Sequence, residues 1–335
     1  MTQMVDWDLA VTTAGALARG GPRVSSAEAA DVVTELRRLA DLAEVHVRDY
    51  TGLQSPTGAP PVRVVDRRDW VSANVGGLQN VVGPLVERLT AKVASERDPT
   101  GLAGVLNDGV GTAARAFGSK ASGVQAGTIF AYLSTKVLGQ YEVFSGAPGQ
   151  LLLVAPNIVE VERKLGADPT DFRLWVCLHE VTHRAQFTAV PWLRQHFLDE
   201  VNGFVDATDI DGEVLADRVR RALEAVLDAI RNPDSRVSVM DLIQTPAQKA
   251  VVDRITALMT LVEGHAEFVM DGVGPAVVPS VESIRAKFNA RRVAHNPVEK
   301  VLRKLLGVEV KMRQYAEGRK FVAAVVDRVG MAGFN

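Results

Sequence analysis

His179, Glu180 and His183 stand in the run Leu178-His179-Glu180-Val181-Thr182-His183, an HExxH spacing. On a helix, positions i and i+4 lie one turn apart on one face, so both imidazoles can meet a single metal ion. Glu180 is rotated by about a third of a turn and does not easily join them on that ion. It can instead reach a water at the ion and take its proton. These residue types at this spacing describe hydrolytic zinc chemistry, with His179 and His183 as ligands and Glu180 as general base.

The context must be helical and the polar groups must be needed. Asp168 followed by Pro169 is a helix-start pattern eleven residues before His179. Leu174, Trp175, Val176, Cys177, Leu178, Val181 and Ala185 make the helix apolar nearly all round, which predicts burial. Two histidines and a glutamate in a buried helix need partners, and a metal satisfies all three. Arg184 must then reach solvent or pair. Catalytic zinc takes a third protein ligand and keeps one position open. Glu263, in Leu261-Val262-Glu263-Gly264-His265-Ala266-Glu267, is the best candidate. Glu267 shares its helix face, which suits a bond to the far ring nitrogen of a ligand histidine. His265 is the rival ligand, but it lies on nearly the opposite side of that helix and reads as a packed residue. Cys177, two residues before His179, is assigned to packing.

The elements that carry these residues are mostly helical. Helices are expected over Asp6–Ala18, from the Ser25/Glu28 capping pattern to Val47, and over Asp69–Leu89. The Ala- and Gly-rich run Gly101–Phe144 reads as two closely packed helices. Val62–Val65 and Leu151–Ala155 read as short strands, the second stopped by Pro156. Further helices run from Asp168 to about Phe187, from Pro191, over Glu213–Arg231, from the Thr245-Pro246-Ala247-Gln248 cap to Gly272, and from Asn296-Pro297 to Gly307. A soft boundary between Phe144 and Leu151 divides an N-terminal helical lobe (1–150) from a catalytic lobe (151–335) with a helical insertion at about 191–244; one continuous domain is the other arrangement.

Composition narrows the class. The chain has 335 residues, 47% apolar and 23% charged, which suits a globular fold and excludes a rod or a disordered chain. One cysteine rules out a disulfide framework and a cysteine-rich zinc module. No apolar run is long enough to span a membrane, and Asp6 and Asp8 stand where an export signal would be basic. A cytoplasmic address is therefore expected. A net charge of −2 argues against a nucleic-acid binder. The stretch from Arg285 to Lys320 holds eleven basic residues against Glu299, Glu309 and Glu317, and reads as a solvated helical surface.

The HExxH helix followed by a Glu-Gly-x-Ala helix resembles the gluzincin metallopeptidases. Their third zinc ligand is the glutamate that matches Glu263, although the separation from His183 is far longer here. Val137–Tyr141, Leu152–Asn157, His179–Trp192, Glu263–Asp271 and Gln314-Tyr315 are also similar to an actinobacterial family of zincin-like proposed hydrolases. One branch of that family is associated with biosynthesis of the deazaflavin coenzyme. The resemblance implies a mostly α zincin-like metallohydrolase fold with a small β element and a zinc site. It also implies a tyrosine or histidine that steadies the developing oxyanion: Tyr315 first, then Tyr141 or His295. The strand Leu151–Ala155 would be the edge to which an extended peptide adds. The function expected is a zinc-dependent hydrolase, most simply a metallopeptidase, acting on a peptide or other amide. A zinc protein of the same fold without catalysis is the alternative.

Overall fold

The computed structural model describes residues 5–18, 20–55, 62–95, 119–207, 245–293 and 308–335. It divides into two compact units, Met1–Ala40 with Pro60–Lys164, and Asp41–Ala59 with Leu165–Asn335. The described elements are mostly helical, as the sequence predicts.

In the first unit, α1 (Trp7–Leu17) begins where Asp6 accepts a hydrogen bond from the Leu9 N–H. The Ser25 hydroxyl likewise accepts from Glu28 N–H at the start of α2 (Ser26–Thr51). Next come β1 (Arg63–Val65), α3 (Arg67–Ser95), a helix over 119–134 (α4), β2 (Gly139–Glu142), β3 (Gln150–Val154) and α5 (Ala155–Leu165). Gly139–Glu142 departs from the helical expectation. The Ala-rich signal ends before it, and Tyr141, Val143 and Phe144 suit a pleated surface better than a helix.

The three strands are ordered β1-β3-β2, so β3 is the centre of the sheet. It runs parallel to β1, with Leu152 opposite Arg63, and antiparallel to β2, with Leu151 opposite Tyr141. Leu151, Leu152, Leu153 and Val154 are fully buried, the continuous apolar run of a strand covered on both faces. The expected peptide-accepting edge is therefore not this strand: both its sides are already paired. Proline 156 is tolerated because the chain has by then entered α5. Ala14, Val65, Trp70, Val71, Val75, Ala131, Leu152 and Val154 form this unit's core. Buried Arg67 binds Asn157 at 2.7 Å and Glu160 at 2.6 Å, and Asn157 donates to the carbonyls of Ser134 and Val137.

The second unit contains the end of α2, then α6 (Pro169–Ala189), α7 (Leu193–Asp206), α8 (Pro246–Val273), α9 (Val281–Val293) and α10 (Val308–Phe334). The helix expected over Glu213–Arg231 and the one from Asn296 to Gly307 lie outside the described residues. Helix α8 packs against α6, α7 and α10. Its start is a complete capping box: Gln248 N–H donates to the Thr245 hydroxyl, and Thr245 N–H to the Gln248 side chain. It passes Gly272 and stops at Gly274, whose φ of 69° suits a residue without Cβ. Gly272 instead makes room for the ring of Tyr50, which lies where a Cβ would be. Helix α9 meets α6 through an edge-on pair, Trp175 and Phe288, 5.1 Å between centroids. Asp271 pairs with Arg285 of α9 and Arg319 of α10. No helix among the described residues is long and apolar enough to cross a membrane.

Candidate metal centre

Helix α6 owes its position to burial. Asp168 caps it by accepting from Asp171 N–H, Pro169 opens it, and Phe172 to Phe187 are buried at almost every position. Arg184 lies inside this set and resolves its charge by pairing with Glu44, 2.8 Å away near the end of α2. His183 is nearly buried, while His179 keeps 27% of its side chain exposed, so the pair opens outward on the His179 side.

Their ring nitrogens converge. His179 Nε2 and His183 Nε2 are 3.1 Å apart, and the Glu263 Oε2 of α8 lies 3.6 Å from the first and 3.7 Å from the second. No apparent local rule brings Glu263 here, 80 residues beyond His183; the packing of α8 on α6 does so. The circle through the three donor atoms has a radius of about 2.0 Å. Zinc bonds to imidazole nitrogen and carboxylate oxygen are about 2.0–2.2 Å long. One ion can thus reach all three donors without moving them, and among the described residues these three form the His/acid group that could hold a metal.

The protonation pattern agrees. The Val262 carbonyl can only accept, so it fixes which end of the Gln186 amide is nitrogen, at 2.8 Å. The amide oxygen then faces His183 Nδ1 at 3.0 Å, and that ring nitrogen must carry the proton. His183 Nε2 is left with its lone pair aimed at the site. His179 Nδ1 lies 3.3 Å from the Met270 sulfur, again leaving Nε2 on the site side. Three lone-pair donors crowded together call for a positive charge. Without an ion His183 supplies it: burial works against its protonation, but Glu263 and then Glu180 outweigh burial and push its pKa up to about 9. Glu180 is buried, and that burial pushes its carboxyl up to about 7, with His183 pulling it down and Glu263 pushing it up. A carboxyl poised near neutrality suits proton transfer.

The model of the zincin-like metallopeptidases matches residues 5–335. The chain belongs to that family. It is also similar, at 29% identity and a TM-score of 0.64, to the crystal structure of a proposed hydrolase with a novel fold from Chloroflexus aurantiacus. That likeness covers 97% of this chain and 88% of the other. No curated protein matches the chain. Membership in a zincin-like family implies a metal, typically zinc, and the donor set fits one.

Family membership frames the remaining residues. His179, His183 and Glu263 are brought together, and Glu180 is buried beside them. Glu267 is the residue expected at the far ring nitrogen of one ligand histidine. His183 Nδ1 meets Gln186, which sits three residues on along the same helix and needs no other element to reach it, and His179 Nδ1 lies beside the Met270 sulfur. That spacing was the available signal for Gln186. His265 is not among the three donors; it is buried, stacked on Phe334 with centroids 5.1 Å apart, and bonded to Gln186. Burial, and then the charge of His183, lower its pKa to about 4. Tyr141 donates its hydroxyl to the Pro148 carbonyl. Tyr315 belongs to α10, but its side chain lies outside the described residues, as does His295 entirely.

Proposed function

We propose that this chain is a zinc-dependent hydrolase that cleaves a peptide or another amide. The convergence of His179, His183 and Glu263 on one ion-sized point carries this reading. Zinc held there would supply Lewis acidity, making a bound water more acidic and the scissile carbonyl more electrophilic. Glu180 takes a proton from the attacking water and returns it to the departing nitrogen, so that a C–O bond forms as the C–N bond breaks. Its burial favours the protonated carboxyl, which suits a group that must carry the proton between the two transfers. Gln186 holds His183 in the tautomer that leaves Nε2 free, a positioning role. Tyr315 is proposed as the hydrogen-bond donor to the oxyanion, and the cytoplasm as the compartment.

Glu180→Gln tests the mechanism. The variant should keep zinc and lose hydrolysis of a peptide library by about a hundredfold or more. Unchanged turnover would remove Glu180 from the mechanism. A wild-type protein that holds zinc yet cleaves no amide in the library would favour a zinc protein without catalysis.

A further inference from the structure

His265 is no metal ligand, yet a single side chain separates it from His183. The Gln186 amide oxygen lies 3.0 Å from His183 Nδ1, and the amide nitrogen lies 2.8 Å from His265 Nδ1. The same nitrogen donates to the Val262 carbonyl at 2.8 Å. An amide NH₂ has two hydrogens, so the carbonyl takes one and the imidazole the other. The NH₂ group can only donate, so His265 Nδ1 accepts, and the neutral ring carries its hydrogen on Nε2. His183, Gln186 and His265 are all buried, so a partner lost from this chain is not simply replaced by bulk water. The His265 ring is itself held flat against Phe334, with 22° between their planes.

The amide can face His183 in only one sense. Turned over, it would set its NH₂ against the His183 Nδ1 hydrogen, donor to donor. Its oxygen would then face two acceptors, the Val262 carbonyl and His265 Nδ1. The carbonyl alone holds one amide hydrogen; His265 takes the second and makes the turned-over state worse. Val262, Glu263 and His265 lie within one turn of α8. Docking of that turn on α6 therefore brings the acidic ligand and locks the amide in the same step.

We propose that His265 is a positioning residue of the zinc site, acting through Gln186 to hold the His183 ring with its Nε2 lone pair toward His179 and Glu263. This inference rests on the zinc-binding part of the proposed function and is independent of catalysis.

The test is competition for zinc against a chelator, with the wild-type chain, His265→Leu, His265→Asn, Gln186→Leu and the Gln186→Leu, His265→Leu double variant. Leucine offers no acceptor, and His265→Leu should weaken zinc by about three- to tenfold, the worth of one hydrogen bond. Asparagine sets an oxygen where Nδ1 lies, and His265→Asn should bind zinc within about twofold of wild type. In the Gln186→Leu background, His265→Leu should weaken zinc no further, because nothing is left to transmit the change. A role in packing alone would add independently and would not be restored by asparagine. Unchanged affinity in His265→Leu, no recovery in His265→Asn, or additive losses in the double variant would overturn the proposal while leaving the zinc site standing. A wild-type chain that binds no zinc would overturn both. Should His265→Leu fail to fold, an imidazole ¹⁵N spectrum of the zinc-loaded wild type decides it: the His265 proton is expected on Nε2, and a proton on Nδ1 would overturn the proposal.

Discussion

Gly264→Ala perturbs the metal centre without touching a ligand. Helices α8 and α10 cross in backbone contact at Gly264 and Gly318. A Cβ at 264 would lie 2.3 Å from the Gly318 carbonyl carbon and 2.5 Å from Arg319 N, and a Cβ at 318 would lie 2.2 Å from the Thr260 oxygen. Ordinary contact begins at 3.4 Å, so the helices must part by about 1.1 Å along that line. The obstruction is backbone and cannot turn aside as a side chain can. Overpacking of this kind costs about 3 kcal/mol, against which the better helix propensity of alanine returns about 1 kcal/mol. The expected net loss is about 2 kcal/mol. Glu263 precedes the altered residue, and metal bonds tolerate only about 0.2 Å of misplacement. Zinc affinity should therefore fall by about tenfold or more. Denaturant unfolding with and without zinc, and competition against a chelator, measure the two effects. Gly203→Ala is the matched control: nothing lies within 4 Å of its Cβ, and it should stabilise by up to about 1 kcal/mol. A Gly264→Ala protein as stable as wild type, with unchanged zinc affinity, would refute the argument.

Gln186→Leu removes the acceptor for His183 Nδ1 and should weaken zinc by about ten- to a hundredfold, read by the same competition. Glu44→Ala leaves buried Arg184 without its carboxylate and should cost about 1–3 kcal/mol in unfolding experiments, less if the guanidinium reaches water. His265 titrates lower in the fold than in the unfolded chain, so its contribution is complete above about pH 6.5 and fades as pH falls toward about 4. That contribution is up to about 3 kcal/mol, and stability measured over this range should fall less steeply in His265→Gln than in wild type. Protons compete with zinc for His183, whose metal-free pKa is about 9, so apparent zinc affinity should rise with pH through neutrality.

The metal helix was the most legible part of the chain. Asp168 and Pro169 announce its start, apolar residues on every side announce its burial, and i, i+4 spacing settles that His179 and His183 face one point. Glu263 was reachable by elimination, since a third donor had to come from another helix and its surroundings were apolar. What brought it to the histidines is packing over 80 residues of chain, including backbone contact at Gly264, and no local pattern encodes that. The role of β3 was misread because apolarity identifies a buried strand without saying whether its neighbours are present; β1 comes from much earlier in the chain. Gln186 was overlooked although its spacing from His183 is as regular as that of the histidines themselves. Glutamine carries no charge, and its value lay in orienting a ring rather than in binding an ion.

The central claim is that one zinc ion is held by His179, His183 and Glu263. A crystal structure of the zinc-loaded chain, with anomalous scattering collected at the zinc edge, tests it most directly. The account predicts a single strong peak about 2.0–2.2 Å from His179 Nε2, His183 Nε2 and a Glu263 carboxylate oxygen, with Glu180 outside bonding distance. A peak that lies elsewhere, or that takes its third protein ligand from another residue, would contradict it.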